Sequence, residues 1–475
     1  MRQEPLWSGL ALVGALHARV SGALAREATG VSIDTRTLKA GDLFFAIKGE
    51  ARDGHEFVRA AFEKGAAAAV IDEAHAAEFS GAGPLLIVKD VQRSLEMLGK
   101  RARERSSAFI AAITGSVGKT STKDMTRLML SRFGETHASV ASYNNQWGVP
   151  LTLARMPAAS RFGVFELGMN HAGEITGLVA QVRPHVAVVT RVAAVHLEHF
   201  ASVEGIADAK AEIFSALDGG VAIINRDDAT YERLAAAAAP TAGHIFSFGE
   251  SEGAEARLLS YKGIDDGCEV EADILGKRLA YRIGAPGKHI ALNSLAALLI
   301  AAVFDIDVEK AALTLADFTP PSGRGAREKL MAPSGPFTLI DESYNANPTS
   351  MRSAFELLGA TTPGAGGRRI AVLGDMLELG PCGAELHGEL AVDLARAKCD
   401  LLFTAGPLMA SLYYAAPNAM RAAHRRTALE LEEAVLAALR AGDVVMVKGS
   451  NSSRMSRIVA AVRQKFAPQK ANQGQ

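Results

Sequence analysis

Two spacings of hydrophobic and polar positions alternate along most of this 475-residue chain. Short β-branched apolar runs are each followed by a polar turn and then by a stretch with helical spacing. The pattern predicts strands at residues 163–167, 186–190, 221–225 and 244–248, and a second series at 337–341, 369–373, 400–405 and 444–448. Repeated strand–helix units of this length argue for two consecutive parallel, doubly wound sheets. Residues 258–283 alternate in short runs around Gly263 and Gly267, which predicts a small antiparallel excursion. From Gly287-Lys288-His289 to Phe304 the helical spacing is strongly apolar, so that helix should be buried.

A smaller α/β unit precedes these, with a helix at 57–64 and strands at 70–72 and 84–88. A charged helix at 90–107 links it to the next unit, and the break Thr319-Pro320-Pro321-Ser322-Gly323 opens the last one. The expected fold is therefore α/β in three domains, 1–90, 91–318 and 319–475, the last of them Rossmann-like and doubly wound. Residues 361–367 read as a flexible loop and 469–475 as a disordered tail.

Composition narrows this picture mainly by exclusion. Apolar residues make up 48% and charged residues 22%, ordinary for a globular chain. The net charge of −1, with both signs interspersed, carries no nucleic-acid footprint, so phosphate ligands must be held by local sites. Cys268, Cys382 and Cys399 are too few and too scattered for a disulfide framework or a zinc site, and a reducing, cytoplasmic setting fits. Residues 6–17 imitate a signal-peptide core, but Glu4 spoils the basic leader, and an amphipathic opening helix is expected instead. No uncharged apolar run is long enough to span a bilayer, so membrane insertion is not expected.

The chemistry starts at Thr114-Gly115-Ser116-Val117-Gly118-Lys119-Thr120, a Gly-rich turn between an apolar run and a helical pattern. Glycines let the backbone wrap a phosphate, successive N–H groups point inward, Lys119 supplies a cation and Thr120 can hold Mg²⁺. Strict Walker A spacing needs a glycine where Ile113 stands, so the loop is a shortened form. In open parallel sheets, ligands bind beyond the carboxyl ends of strands. The polar residues there are Glu166, Thr190-Arg191 leading to His196, Asp341-Glu342, Gly374-Asp375, Gly406 and Lys448-Gly449-Ser450. Glu166 lies in an apolar strand and needs a cation partner, Arg or Mg²⁺. His196 and His199 lack zincin spacing, Lys210 alone reads as a solvated helical lysine, and Ser32, Asp34 and Arg36 alone read as turn chemistry. No GxGxxG fingerprint, GxSxG elbow or Cys–His arrangement is present, which leaves phosphoryl transfer as the implied chemistry.

Taken together, these residues resemble the Mur ligases, ATP-dependent amide-forming enzymes of peptidoglycan precursor synthesis. The resemblance runs in order through TGSVGKTSTK, Tyr143-Asn144-Asn145-Gln146-Trp147-Gly148-Val149-Pro150, Glu166-Leu167-Gly168, His196-Leu197-Glu198 and Ala209-Lys210-Ala211-Glu212. It continues through Pro286-Gly287-Lys288-His289, Asn293, Arg324, Asp341, Tyr344-Asn345-Ala346-Asn347-Pro348, the run Leu373–Gly380 and Lys448-Gly449-Ser450. Within the family, YNANP and LGDMLELG resemble the ligases that add D-alanyl-D-alanine to UDP-N-acetylmuramoyl-tripeptide. The Asn-Pro-Arg motif of the diaminopimelate-adding relatives is missing, since Thr349 follows Asn347-Pro348.

The resemblance implies a small N-terminal uridine-nucleotide domain, a central P-loop-type ATPase domain and a C-terminal ligase domain. It implies ATP and two Mg²⁺ ions as cofactors, small-molecule substrates, and no need for an oligomer. By position, Thr114, Gly115, Ser116, Val117, Gly118, Lys119, Thr120 and Ser121 would hold the ATP phosphates. Thr120 and Glu166 would serve one Mg²⁺, and His196 with Lys210 the second; the matching lysine of relatives is carbamylated. Lys119, Glu166, His196 and Lys210 thus form the implied catalytic set. Asn293 would contact adenine, Arg324 a phosphate and Asp341 the ribose. Ser32, Asp34 and Arg36 would belong to the uridine-nucleotide site, and Asn144 and Asn145 to the substrate path. Asn345, Asn347, Lys448 and Ser450 would lie near the tripeptide and dipeptide. Two departures stand out: Thr190-Arg191-Val192-Ala193 where relatives often read Thr-Asn-x-Gly, and KGSNSSRM where KGSR is commoner, which delays the arginine to Arg454. The competing readings are an earlier Mur ligase adding one amino acid, folylpolyglutamate synthase, and a non-catalytic nucleotide-binding regulator.

Overall fold

A computed structural model describes residues 5–24, 27–50, 52–140, 142–195 and 197–467. Three sheets organise it. The first has five strands in the order Arg19–Ser21, Leu85–Val88, Ala68–Asp72, Asp42–Phe45 and Gly30–Ser32, parallel except at the Arg19–Ser21 edge. Its inner strands are apolar at nearly every position because both faces are covered. Phe44, Ile71 and Leu85 pack on one side, and Leu43, Phe45, Val70 and Leu86 on the other. The predicted opening helix is present as Gly9–Leu16. Before it, Trp7 donates its indole N–H to the Ala154 carbonyl at 2.8 Å and lies under the Arg105 guanidinium, tying this unit to the next.

The helix Val91–Glu104, N-capped by Asp90, makes the connection. Its Gly99 meets the backbone of Pro150, where a Cβ would come within 2.9 Å of the carbonyl oxygen. The central sheet runs His244–Gly249, Val221–Asn225, Val186–Val189, Phe109–Thr114, Phe162–Glu166, Thr136–Ala138, all parallel. On the far side of His244–Gly249, Ala256–Ile264, Gly267–Ile274 and Lys277–Ile283 form the expected antiparallel excursion. The helix Lys288–Val303 packs against the Lys119–Leu130 helix and the sheet, and is buried on nearly all sides. Its uniform apolarity follows from that position.

The last sheet runs Ala326–Ala332, Gly335–Glu342, Val444–Lys448, Arg369–Gly374, Leu401–Ala405, Arg421–Arg425. It is parallel except for the Ala326–Ala332/Gly335–Glu342 hairpin. The hairpin arm Ala326–Ala332 and the strand Arg421–Arg425 are absent from the sequence-based expectation. Both are edge strands, and their residues (AREKLMA, RAAHR) are charged and lack the β-branched run that marks an interior strand. The predicted tail at 469–475 lies outside the described residues.

One polar cluster of the first unit has a pH signature. The rings of His55 and His75 stack at 3.8 Å with 13° between planes. His55 Nδ1 lies 2.6 Å from Asp53 Oδ1 while its Nε2 accepts the Asp72 N–H, and His75 Nδ1 lies 2.7 Å from Asp72 Oδ1. Ligating atoms of Asp53, His55 and His75 fall within 4.8 Å of one another, but Asp53 and Asp72 already engage the two Nδ1 atoms. The bond to Asp72 raises the pKa of His75. For Asp72, burial opposes ionisation, but the His75 bonds outweigh it and hold the carboxyl below its usual range. A raised histidine stabilises the fold below its ordinary range and loses that contribution as pH rises through the raised value; the lowered Asp72 loses its own as pH falls through its lowered one. The stability gap between the wild type and His75→Ala should therefore be wider near about pH 5.5 than near about pH 9. Urea unfolding at the two pH values measures it, and equal gaps would refute the assignment.

Candidate active site

The phosphate loop joins the Phe109–Thr114 strand to the Lys119–Leu130 helix, with Glu166 and Val189 of the flanking strands in register with Ile113 and Thr114. Gly115 has φ 148°, and a Cβ there would lie 2.0 Å from Thr190 Oγ1; Gly118 has φ 91° and faces the Asn293 amide. Both positions demand glycine. The Thr190–Ala193 segment clamps the loop: Thr190 Oγ1 donates to the Val117 carbonyl at 2.6 Å, Ser116 N–H to the Arg191 carbonyl at 2.6 Å, and Ser116 Oγ exchanges bonds with Ala193. Asp228 accepts the Val192 N–H and Asn225 donates to the Thr190 carbonyl. The departure from Thr-Asn-x-Gly is thus accommodated without a glycine, since Ala193 has no positive φ.

Lys119 Nζ donates to the Gly115 carbonyl at 2.5 Å. Burial disfavours its charge, Glu166 partly restores it, and Arg324 disfavours it further. Glu166, 1% exposed, accepts from Thr120 Oγ1 at 2.9 Å through Oε2 and from Asn144 Nδ2 at 2.8 Å through Oε1. Lys210 is buried with no hydrogen-bond or ion-pair partner among the described residues, and burial followed by the neighbouring Lys119 drives its pKa well down. His196, the fourth member of the implied catalytic set, lies outside the described residues.

A cavity of about 320 Å³ opens over this loop, walled on one side by Ser116–Lys119, Ser121, Glu166 and Lys210 and on the other by Arg324, Glu342, Tyr344, Asn345, Asn347 and Lys448, with Asn293 between. Arg324 donates to Ser142 Oγ at 3.1 Å and stacks 4.0 Å over the Tyr344 ring. Lys448 Nζ donates to Glu342 Oε2 at 3.1 Å and to the Asn345 carbonyl at 3.0 Å. Asn347 lines the cavity but also caps the Pro348–Ala360 helix in a reciprocal box with Ser350. Asn347→Ala should cost about 1 kcal/mol of stability, and Asn347→Asp little. Denaturant melts measure both, and equal melts for all three proteins would argue against the cap.

A second cavity, about 1120 Å³, lies between the first and central sheets and is lined by Asp34, Arg36, Arg52, Tyr143, Asn144 and Asn145 among others. Arg36 grips Asp34 through Nε and Nη2, and this bond lowers the Asp34 pKa. Asn145 Oδ1 accepts the Trp147 and Gly148 N–H groups, so it shapes the wall. Asn144, Gly168, Met169 and Asn170 line both cavities.

Several expected site residues stand behind the walls, among them Ser32, Ser450, Asp341 and Thr114. Ser32 is buried and bonded to Asp34 backbone atoms, and Ser450 Oγ accepts from Leu377. Asp341 is 1% exposed, with its oxygens taken by Ser343, Ser322 and Arg463. Thr114 is buried at the strand end, below the loop. Ser142 was not singled out by the sequence, and Glu342, Tyr344 and His289 were singled out by position or motif but given no role, yet all four line the cavity. The signal for Glu342 is its place as the last residue of a strand, beside Asp341.

Known proteins match along nearly the whole chain. The family models described as Mur ligase family, catalytic domain; Mur ligase middle domain; and Mur ligase, glutamate ligase domain match residues 27–106, 113–301 and 327–451. The UDP-N-acetylmuramoyl-tripeptide--D-alanyl-D-alanine ligase of Rickettsia prowazekii is 32% identical over 96% of this chain and 99% of its own. A crystal structure of MurF from Acinetobacter baumannii superposes with TM-score 0.83 at 28% identity, over 98% of this chain and 100% of that one. MurF ligase from Thermotoga maritima in complex with ADP shares the fold, with TM-score 0.76 at 23% identity over 92% of this chain and 97% of that one. The chain belongs to the Mur ligase family, in the branch whose curated members are named UDP-N-acetylmuramoyl-tripeptide--D-alanyl-D-alanine ligase.

Proposed function

We propose that this protein is the ATP-dependent ligase that joins D-alanyl-D-alanine to UDP-N-acetylmuramoyl-tripeptide in peptidoglycan precursor synthesis. The carrying observation is that the two cavities adjoin, sharing Asn144, Gly168, Met169 and Asn170 in their walls. A sugar nucleotide seated by Asp34 and Arg36 can extend its peptide along Asn144 to the phosphate loop. ATP occupies the loop, and its γ-phosphoryl group passes to the terminal peptide carboxylate, giving an acyl phosphate and ADP. The dipeptide amine attacks that carbonyl carbon, and phosphate leaves. Residues 1–90 hold the uridine nucleotide, 91–318 the ATP, and 319–475 bring in the amine. The enclosing walls align the reactants and keep water from the acyl phosphate.

The donor set fits a hard divalent cation: the Thr120 hydroxyl and Glu166 carboxylate meet beside the loop. Bound Mg²⁺ would neutralise phosphate charge there. A second ion falls to His196 and Lys210. A bare ammonium is no ligand, and the buried, partnerless state of Lys210 supports a carbamylated side chain. The low-pKa amine that carbamylation requires is what its surroundings favour. Lys119 orients and neutralises the transferring phosphoryl group, and Arg324 reaches the cavity from the last unit.

Among the described residues no helix is long and apolar enough to cross a membrane. With nucleotide substrates and ATP, we assign the protein to the cytoplasm, acting as a monomer. The test is a ligation assay. Phosphate release should require ATP, Mg²⁺, UDP-N-acetylmuramoyl-tripeptide and D-alanyl-D-alanine together. Equal turnover of a single amino acid with the dipeptide-stage precursor would overturn the reading.

A further inference from the structure

The cavity over the phosphate loop is lined by four cationic side chains, Lys119, Arg191, Arg324 and Lys448, besides Lys210, which the ligase reading assigns to a metal as a carbamate, and by two carboxylates among the described residues, Glu166 and Glu342. Such a wall suits phosphate but repels an ammonium, and the incoming dipeptide arrives with one. Glu166 is committed to the metal site of the ligase reading, with Thr120 and Asn144 already on its two oxygens. Glu342 differs. Its Oε2 accepts from Lys448, while Oε1 receives no hydrogen bond among the described residues. The pair sits at the carboxyl ends of adjacent parallel strands, Glu342 in register with Lys448, where sheets of this type present ligand groups.

The side chains of Lys448 and Glu342 are 3% and 13% exposed, so the carboxylate is fixed from behind and open on the cavity side. Gly325 gives Oε1 its room: a Cβ there would stand 3.1 Å from it, and the residue has φ 96°. A carboxylate with one oxygen held by a buried ammonium and the other without a hydrogen bond among the described residues is charge-balanced. It is then poised to bind one more N–H donor.

Building on the ligase reading, we propose that Glu342 is the receptor for the ammonium of the incoming dipeptide, holding it against the acyl phosphate through Oε1. One N–H proton passes to Oε1 and on to water. The nitrogen lone pair then forms the C–N bond, the carbon–oxygen bond to phosphate breaks with its electron pair on phosphate, and the second N–H proton leaves with the phosphate. Lys448 is a positioning residue, which keeps the carboxylate turned to the cavity.

The test separates the two half-reactions in Glu342→Gln, which keeps the shape and a partner for Lys448 but loses the charge. Hydroxylamine, largely uncharged at neutral pH, traps the acyl phosphate as a hydroxamate without needing an ammonium receptor. The expected result is a KM for D-alanyl-D-alanine raised about ten- to a hundredfold. Tripeptide-dependent hydroxamate formation should stay within about twofold of wild type. Glu342→Asp, which keeps the charge, should recover part of the dipeptide KM. An unchanged dipeptide KM in Glu342→Gln overturns the proposal. So does an equal loss of dipeptide and hydroxylamine reactivity, because the pair would then only prop the wall. A wild-type protein that forms no tripeptide-dependent hydroxamate overturns the ligase reading itself, and this assignment with it.

Discussion

Lys119→Ala is expected to abolish ATP-dependent ligation, lowering kcat/KM for ATP by at least about a hundred- to a thousandfold. The side chain bridges back to the Gly115 carbonyl and presents its charge inside the loop, in surroundings that resist ionisation. That resistance is useful. A cation held where water is scarce interacts strongly with an incoming anion. The Asp34–Arg36 cavity is lined by other residues, so UDP-N-acetylmuramoyl-tripeptide should bind the variant as it binds the wild type. The melting temperature should hold, since the partly buried cation that is lost makes no ion pair with a carboxylate among the described residues. Calorimetric titration with a non-hydrolysable ATP analogue and, separately, with the sugar nucleotide measures both arms. Near-normal activity would remove the phosphate-cradle assignment.

Glu166→Gln carries the second large effect. The amide can keep its oxygen toward Asn144 Nδ2 and turn its NH₂ to the Thr120 hydroxyl, which accepts as well as donates. The local bonding therefore survives while the negative charge disappears. The expected result is a kcat reduced about a hundredfold or more and a Mg²⁺ requirement moved to higher concentration. Ligation rate followed against Mg²⁺ concentration reads both. A variant with unaltered metal dependence would mean that Glu166 serves only to tether Thr120 and Asn144.

Much of the sheet framework was legible because interior strands covered on both faces are continuous apolar runs, such as Val444–Lys448 and Val221–Asn225. The edge strands Ala326–Ala332 and Arg421–Arg425 were not, since pairing on one side alone imposes little on composition. The phosphate loop was legible for a local reason: backbone approach and positive φ restrict Gly115 and Gly118 whatever the rest of the fold does. Pairings across sheets leave no such mark. Asp341 stands at a strand end like a ligand contact, yet Arg463, more than a hundred residues away, takes one of its oxygens. Asn347 carries a motif and also a cap, and spacing cannot divide the two roles. Glu342 was visible as a polar residue past a strand, but its bare oxygen depends on Lys448 lying beside it.

The mutual effect of Lys119 and Arg324 has a mechanical side. One belongs to the helix after the phosphate loop and the other to the start of the last unit, and Arg324 makes the charge on Lys119 harder to hold. Opposite walls of the cleft thus carry the same sign. A polyanion placed there would be attracted from both sides. The nucleotide is in that sense a latch as well as a reactant. On the ligase reading, conversion of ATP to ADP would move a phosphoryl charge onto the peptide, and the attraction of both walls would follow it toward the place where the amide bond is made.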